Sequence, residues 1–152
     1  MSETALDARV PFFETVELRM DARPENLVLA RLALGGVAAR TPFGADVVAD
    51  LKLAVTEACT NAIEHAYAGD PASNEIVVRF ALDDGALSVE VQDWGVGFDT
   101  EVEPPRDEEL EELRDHAGVG LMLIRSLTDE LSIESGATGS TISFSKRLTP
   151  LE

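Results

Sequence analysis

The segment TPFGADVVADLKLAVTEACTNAIEHAYAGD (41–70) constrains the fold most, because it reads as one long helix with a wide face to bury. Val47, Val48, Leu51, Ala54, Val55, Ala58, Ala62 and Ile63 recur at helical spacing, which predicts a helix over 44–67 between breakers at either end. Two period-two runs follow it, NEIVVRFAL (74–82) and ALSVEVQD (86–93), joined by Asp83-Asp84-Gly85. Alternating runs around an Asp-Gly turn predict an antiparallel hairpin. The long helix thus has a sheet to lie on.

Residues 14–20 alternate apolar and polar, with Val16, Leu18 and Met20 on one side, and predict a half-buried strand. From Pro24 to Ala39 the spacing of Leu27, Ala30, the Arg31 stem, Leu34 and Val37 predicts a helix whose end Gly35 and Gly36 weaken. Residues 99–115 carry nine acids against two arginines and cannot be core. A short helix is expected from Gly118 to about Asp129, then a second hairpin over 130–135 and 140–148. The order strand, helix, helix, strand, strand, loop, helix, strand, strand favours an α+β two-layer sandwich. Its sheet is mostly antiparallel, with helices on one face. We expect a single domain over 1–152, with its core at 14–148.

Twelve basic against twenty-nine acidic side chains give a net charge of −17, which repels phosphate backbones and anionic lipid. Direct nucleic-acid or membrane-surface binding is therefore not expected. A single cysteine, Cys59, leaves no disulfide framework and no cysteine-rich zinc site, and His65 and His116 have no cysteine partner. MSETALDARV has neither the basic nor the apolar region of a signal peptide, so a soluble cytoplasmic protein is expected.

Three features could carry chemistry. Glu57 and Asn61 are one turn apart and share a face of the long helix, with His65 extending the row. Small neighbours Ala58, Cys59, Ala62 and Ala66 keep that side close to another element. Magnesium takes oxygen ligands and keeps water and substrate phosphate in its shell, so Asn61 could supply a ligand and Glu57 a base beside a nucleotide phosphate. A solvated outer face is the plainer alternative. Asp93-Trp94-Gly95-Val96-Gly97 ends a predicted strand, where a carboxylate could accept from an exocyclic amine and glycines could admit a flat base. Gly118-Val119-Gly120-Leu121 opens a helix whose free N–H groups suit phosphate.

In this order, with Gly139-Ser140-Thr141 entering a last strand, these features resemble the GHKL ATP-binding fold of gyrase, Hsp90-type chaperones and histidine kinases. Within it, the chain is most similar to bacterial anti-sigma-factor serine/threonine kinases. TEACTNAIEHAY (56–67) looks like the N box, VQDWGVGFD (91–99) like the G1 box and GVGLMLIRSLTDEL (118–131) like the G2 box. The resemblance implies ATP and Mg2+ as cofactors, Glu57 as general base and Asn61 as magnesium ligand. It also implies that Asp93 reads the adenine amino group, with Gly95 and Gly97 beside the purine. Gly118, Val119, Gly120 and Leu121 would lie on the phosphate side, and Thr141 would place a hydroxyl near adenine. His65 is grouped with the nucleotide-binding residues, its other reading being a structural polar residue at the helix end.

Arg31 falls where the family presents an arginine to its protein partners, and its other reading is an ordinary snorkelling side chain. The partners implied are an anti-anti-sigma protein of the STAS type and a sigma factor, with a homodimer also implied. The ATP lid would be 98–117. Where the family commonly carries a basic residue before the G2 glycines, this chain offers Arg114 or His116.

The expected function is transfer of the ATP γ-phosphoryl to a serine or threonine of the anti-anti-sigma partner, with sequestration of the sigma factor. A nucleotide-gated switch without phosphotransfer is one alternative. A detached histidine-kinase ATPase domain is another, although no helical hairpin with an acceptor histidine precedes residue 14. Eukaryotic-type kinases and phosphate-loop enzymes are excluded, since Lys52 and Lys146 are the only lysines and neither stands in the required motif.

Overall fold

The computed structural model describes residues 14–66, 74–95, 117–136 and 138–149. Strand β1 (Glu14–Asp21) leads through a 3-10 turn (Pro24–Asn26) into helix α1 (Leu27–Ala38). Helix α2 (Ala45–Asn61) follows and ends in a π turn (Ala62–Ala66). Then come β2 (Glu75–Leu82), β3 (Ala86–Asp93), helix α3 (Ala117–Leu127), β4 (Glu130–Gly136) and β5 (Gly139–Arg147). The strands form one sheet of order β1-β2-β3-β5-β4, antiparallel throughout, so the expected α+β sandwich is the architecture found.

Strand alternation decides which side of the sheet the helices cover. Ile76, Val78 and Phe80 of β2, Leu87, Val89 and Val91 of β3, and Ile142 and Phe144 of β5 are buried on one face. They meet Leu34 of α1, Leu51, Val55 and Ala58 of α2, and Leu121 and Ile124 of α3 in one core. The other face is polar. There Arg79 reaches Glu17 at 3.2 Å, Glu90 at 3.0 Å and Gln92 at 2.8 Å, while Arg19 reaches Glu17 at 3.1 Å and Glu75 at 2.9 Å. Such solvent-facing pairs contribute about 0–1 kcal/mol each.

The β2–β3 hairpin closes on its own turn chemistry. Asp83 Oδ1 accepts the backbone N–H of Gly85 at 2.7 Å and of Ala86 at 2.9 Å. Both ends of the described chain lie at this turn, for Glu14 pairs with Leu82 and the Leu148 N–H donates to Gly85 O at 3.0 Å. Asp93 and Ser140 pair at the opposite end of the sheet.

One expectation changes: the long helix keeps α geometry only to Asn61. Helix α1 runs through Gly35 and Gly36 to Ala38, close to its expected end. Leu34, Val37 and Ala38 are buried around those glycines, and that packing outweighs their poor helix propensity. The acidic stretch, the lid boundaries, Gly97, Arg114 and His116 lie outside the described residues. No helix among the described residues is long and apolar enough to cross a membrane.

Candidate functional site

Helices α2 and α3 make the first half of the site. Glu57 and Asn61 sit in the last turn of α2, and Gly120 lies in the first turn of α3 directly against them. A Cβ added at Gly120 would stand 3.1 Å from Glu57 Oε1, 3.7 Å from Asn61 Oδ1 and 4.0 Å from Asn61 Nδ2. Glycine is what lets the start of α3, whose first N–H groups have no partner within the helix, approach the acid and the amide. Leu121, the next residue, is buried in the core and anchors that approach. Gly118 and Val119 occupy the same first turn.

The electrostatics are those of a group held ready. Glu57 is partly buried, and desolvation, helped by the charge of Glu64, pushes its carboxyl above the usual carboxylate range. Asn61 is only 4% exposed, and its Nδ2 has no hydrogen-bond partner. An orphaned amide group this deep costs about 1–3 kcal/mol unless something occupies the space beside it. His65 lies in the π turn. There i→i+5 bonding inserts an extra residue into the turn, so the four-residue spacing from Asn61 no longer fixes the face on which it falls.

Strands β3 and β5 make the second half. Asp93 is 3% exposed and shares the inner face with Val89 and Val91. Its Oδ1 accepts the Gly95 N–H at 3.0 Å. Desolvation pushes its carboxyl above the usual range, and the backbone N–H groups of Gly95 and Ser140 oppose that shift. Gly139, at φ +148°, brings β5 against this point: a Cβ there would collide with the Asp93 carbonyl oxygen and stand 3.0 Å from Trp94 Cα. Here the glycine is required.

The expectation for Thr141 is corrected. Thr141 pairs with Gln92 and Glu134 on the polar face of the sheet, opposite the Asp93 carboxylate. Ser140, one residue earlier, shares the inner face with Ile142 and Phe144, pairs with Asp93 and is 3% exposed. The buried hydroxyl beside Asp93 is therefore Ser140, whose Oγ lies 2.8 Å from Ser135 Oγ of β4. Counting strand parity back from Ile142 and Phe144 would have found it.

Arg31 is on α1 and reaches across to α2. Its Nη1 donates to Thr56 Oγ1 at 3.3 Å, and that hydroxyl donates to Lys52 O at 2.7 Å.

Among the described residues no cluster of three His, Cys, Asp or Glu side chains could hold a metal ion. What is present, one buried amide and one carboxylate beside a helix start, suits a hard cation that binds few protein groups and shares substrate phosphates.

Residues 20–146 match the family model described as histidine kinase-like ATPase domain. Serine-protein kinase RsbW of Bacillus licheniformis is 37% identical over 139 residues, covering 87% of this chain and 86% of that one. The enzyme of the same name from Bacillus subtilis is 36% identical over 138 residues, covering 88% and 85%. A solved structure of the RsbU and RsbW domains of a Mycobacterium tuberculosis protein superposes with a TM-score of 0.65 at 27% identity, over 88% of this chain and 32% of that longer one.

Proposed function

We propose that this chain, which belongs to the histidine kinase-like ATPase domain family, is an ATP-dependent protein serine kinase and anti-sigma factor that phosphorylates a serine or threonine of an anti-anti-sigma partner and sequesters a sigma factor when that partner is absent. The observation that carries this reading is the placement of Gly120 against Glu57 and Asn61. It brings a carboxylate, a buried amide and a helix start together in one place.

In this reading Glu57 takes the proton of the attacking hydroxyl as its oxygen bonds to the γ-phosphorus and the bond to the β-phosphate oxygen breaks. A carboxyl held above its usual range by burial and by the charge of Glu64 is a better base than an ordinary glutamate. Asn61 would hold magnesium, which supplies neutralisation of phosphate charge. The first N–H groups of α3, from Gly118 to Leu121, receive phosphate oxygens. Asp93 and Ser140 receive the adenine edge, with Gly95 leaving room for the base.

Arg31 presents its guanidinium, fixed by Thr56, to the protein partner. It forms no ion pair among the described residues, and Val28 and Leu32 beside it are 44% and 66% exposed, which gives that face an apolar and cationic character suited to an acidic protein.

Glu57→Ala tests the assignment. It should retain Mg–ATP binding in a thermal-shift titration and lose phosphorylation of the antagonist by about 10²–10⁴-fold. Unchanged phosphotransfer would remove Glu57 as the base. Absence of any shift by ATP in the wild-type protein would remove the whole reading.

A further inference from the structure

The buried hydroxyl of Ser140 can serve a base edge in two opposite ways. A serine hydroxyl carries one proton and two lone pairs, and can present either to a ligand. At 3% exposure, water does not decide between them. The protein group in contact with that hydroxyl is Ser135 Oγ at 2.8 Å, in the neighbouring strand, where Ser135 pairs with Ser140 across the β4–β5 ladder. If Ser140 donates to Ser135, only lone pairs face the site. If Ser135 donates to Ser140, the Ser140 proton is left for the ligand.

An adenine edge at this point would call for the second arrangement. Asp93 beside it already supplies the acceptor, and Asp93 draws its own hydrogen bonds from the backbone N–H groups of Gly95 and Ser140. An acceptor and a donor side by side complement the amino group and the ring N1 of adenine. Guanine and hypoxanthine present a carbonyl and an N1–H at those positions, the reverse pattern.

Resting on the adenine site argued above, we propose that Ser135 is a positioning residue: its hydroxyl donates to Ser140, fixes Ser140 as a hydrogen-bond donor towards the base, and so contributes to the choice of adenine over 6-oxopurines. Ser135 need not touch the nucleotide. It acts by removing the rotational freedom of the hydroxyl that does.

The test compares dissociation constants of Mg–ATP and Mg–ITP for the intact protein. The signal is the fluorescence of Trp94, the only tryptophan, which follows Asp93 in the chain. In Ser135→Ala the Ser140 hydroxyl is free to turn and accept. The ATP constant should rise about threefold to tenfold, the worth of one ordinary hydrogen bond, while the ITP constant stays or falls. The preference for ATP therefore narrows. Ser135→Thr, which keeps the hydroxyl, should restore it, and kcat at saturating ATP should be unchanged in both.

Loss of affinity for both nucleotides by the same factor, or no change in either, would overturn the proposal, because a merely structural serine has no reason to distinguish them. If Ser135→Ala does not fold, Ser135→Cys, a near-isosteric and weak donor, carries the same expectation. Failure of the underlying site is seen separately, as no binding of either nucleotide by the wild-type protein.

Discussion

Gly139→Ala should be the most damaging single-methyl change at this site. At φ +148° an L side chain is strained by about 1–3 kcal/mol whatever space surrounds it. Space is also missing, since the new Cβ would overlap the Asp93 carbonyl oxygen and stand 3.0 Å from Trp94 Cα and 3.2 Å from the Asp93 carbonyl carbon. These are backbone atoms of a central strand and cannot swing aside as a side-chain tip can. Overpacking of this kind adds about 1–3 kcal/mol, so the total is about 2–6 kcal/mol. For a domain of this size each kcal/mol moves the midpoint by about 2–4 °C, and the expected fall is roughly 5–20 °C in a thermal melt. Urea titration should show the same loss as a lower midpoint with little change in slope. ATP affinity should fall with it, because the segment displaced carries Asp93. A melt within a degree or so of wild type would refute the claim that β5 is pressed against β3 here.

Gly120→Ala should behave differently: its Cβ meets the tip of a mobile Glu57 carboxylate at 3.1 Å, so stability should drop by less than about 1.5 kcal/mol while phosphotransfer falls much further. Glu57→Gln should stabilise the protein at neutral pH. A carboxyl raised on folding favours the folded state below the usual carboxylate range and loses that contribution as pH climbs through its raised value, so the gain in melting temperature should vanish near pH 4. For the same reason phosphotransfer should rise with pH through an acidic limb set by Glu57. Glu64→Gln, which removes a neighbouring negative charge, should move that limb to lower pH; a limb that stays in place would show that Glu64 does not act on Glu57.

Much of this was legible from residue types alone, where local rules and tertiary packing agree. The Asp83-Asp84-Gly85 turn, the alternation of Val89 and Val91, and the apolar stripe from Leu51 to Ala62 each fix an element, because a wrong register would expose the whole stripe. The stacking of Glu57 and Asn61 needed only helical spacing. Ser140 escaped because a motif places a hydroxyl by its neighbours along the chain, whereas the strand assigns it to a face by parity with Ile142 and Phe144. The π turn after Asn61 escaped because composition carries no sign of one extra residue in a turn.

The two ends of the described chain meet beside the Asp83–Gly85 turn, while Asp93 and Ser140 lie a strand length away, roughly 23 Å for eight residues. A tether attached at either described end, Glu14 or Thr149, would start at the end of the sheet opposite the proposed nucleotide site. Immobilised through those ends, the kinase should keep its full turnover, and a surface-coupled assay would read the same affinity as one in free solution.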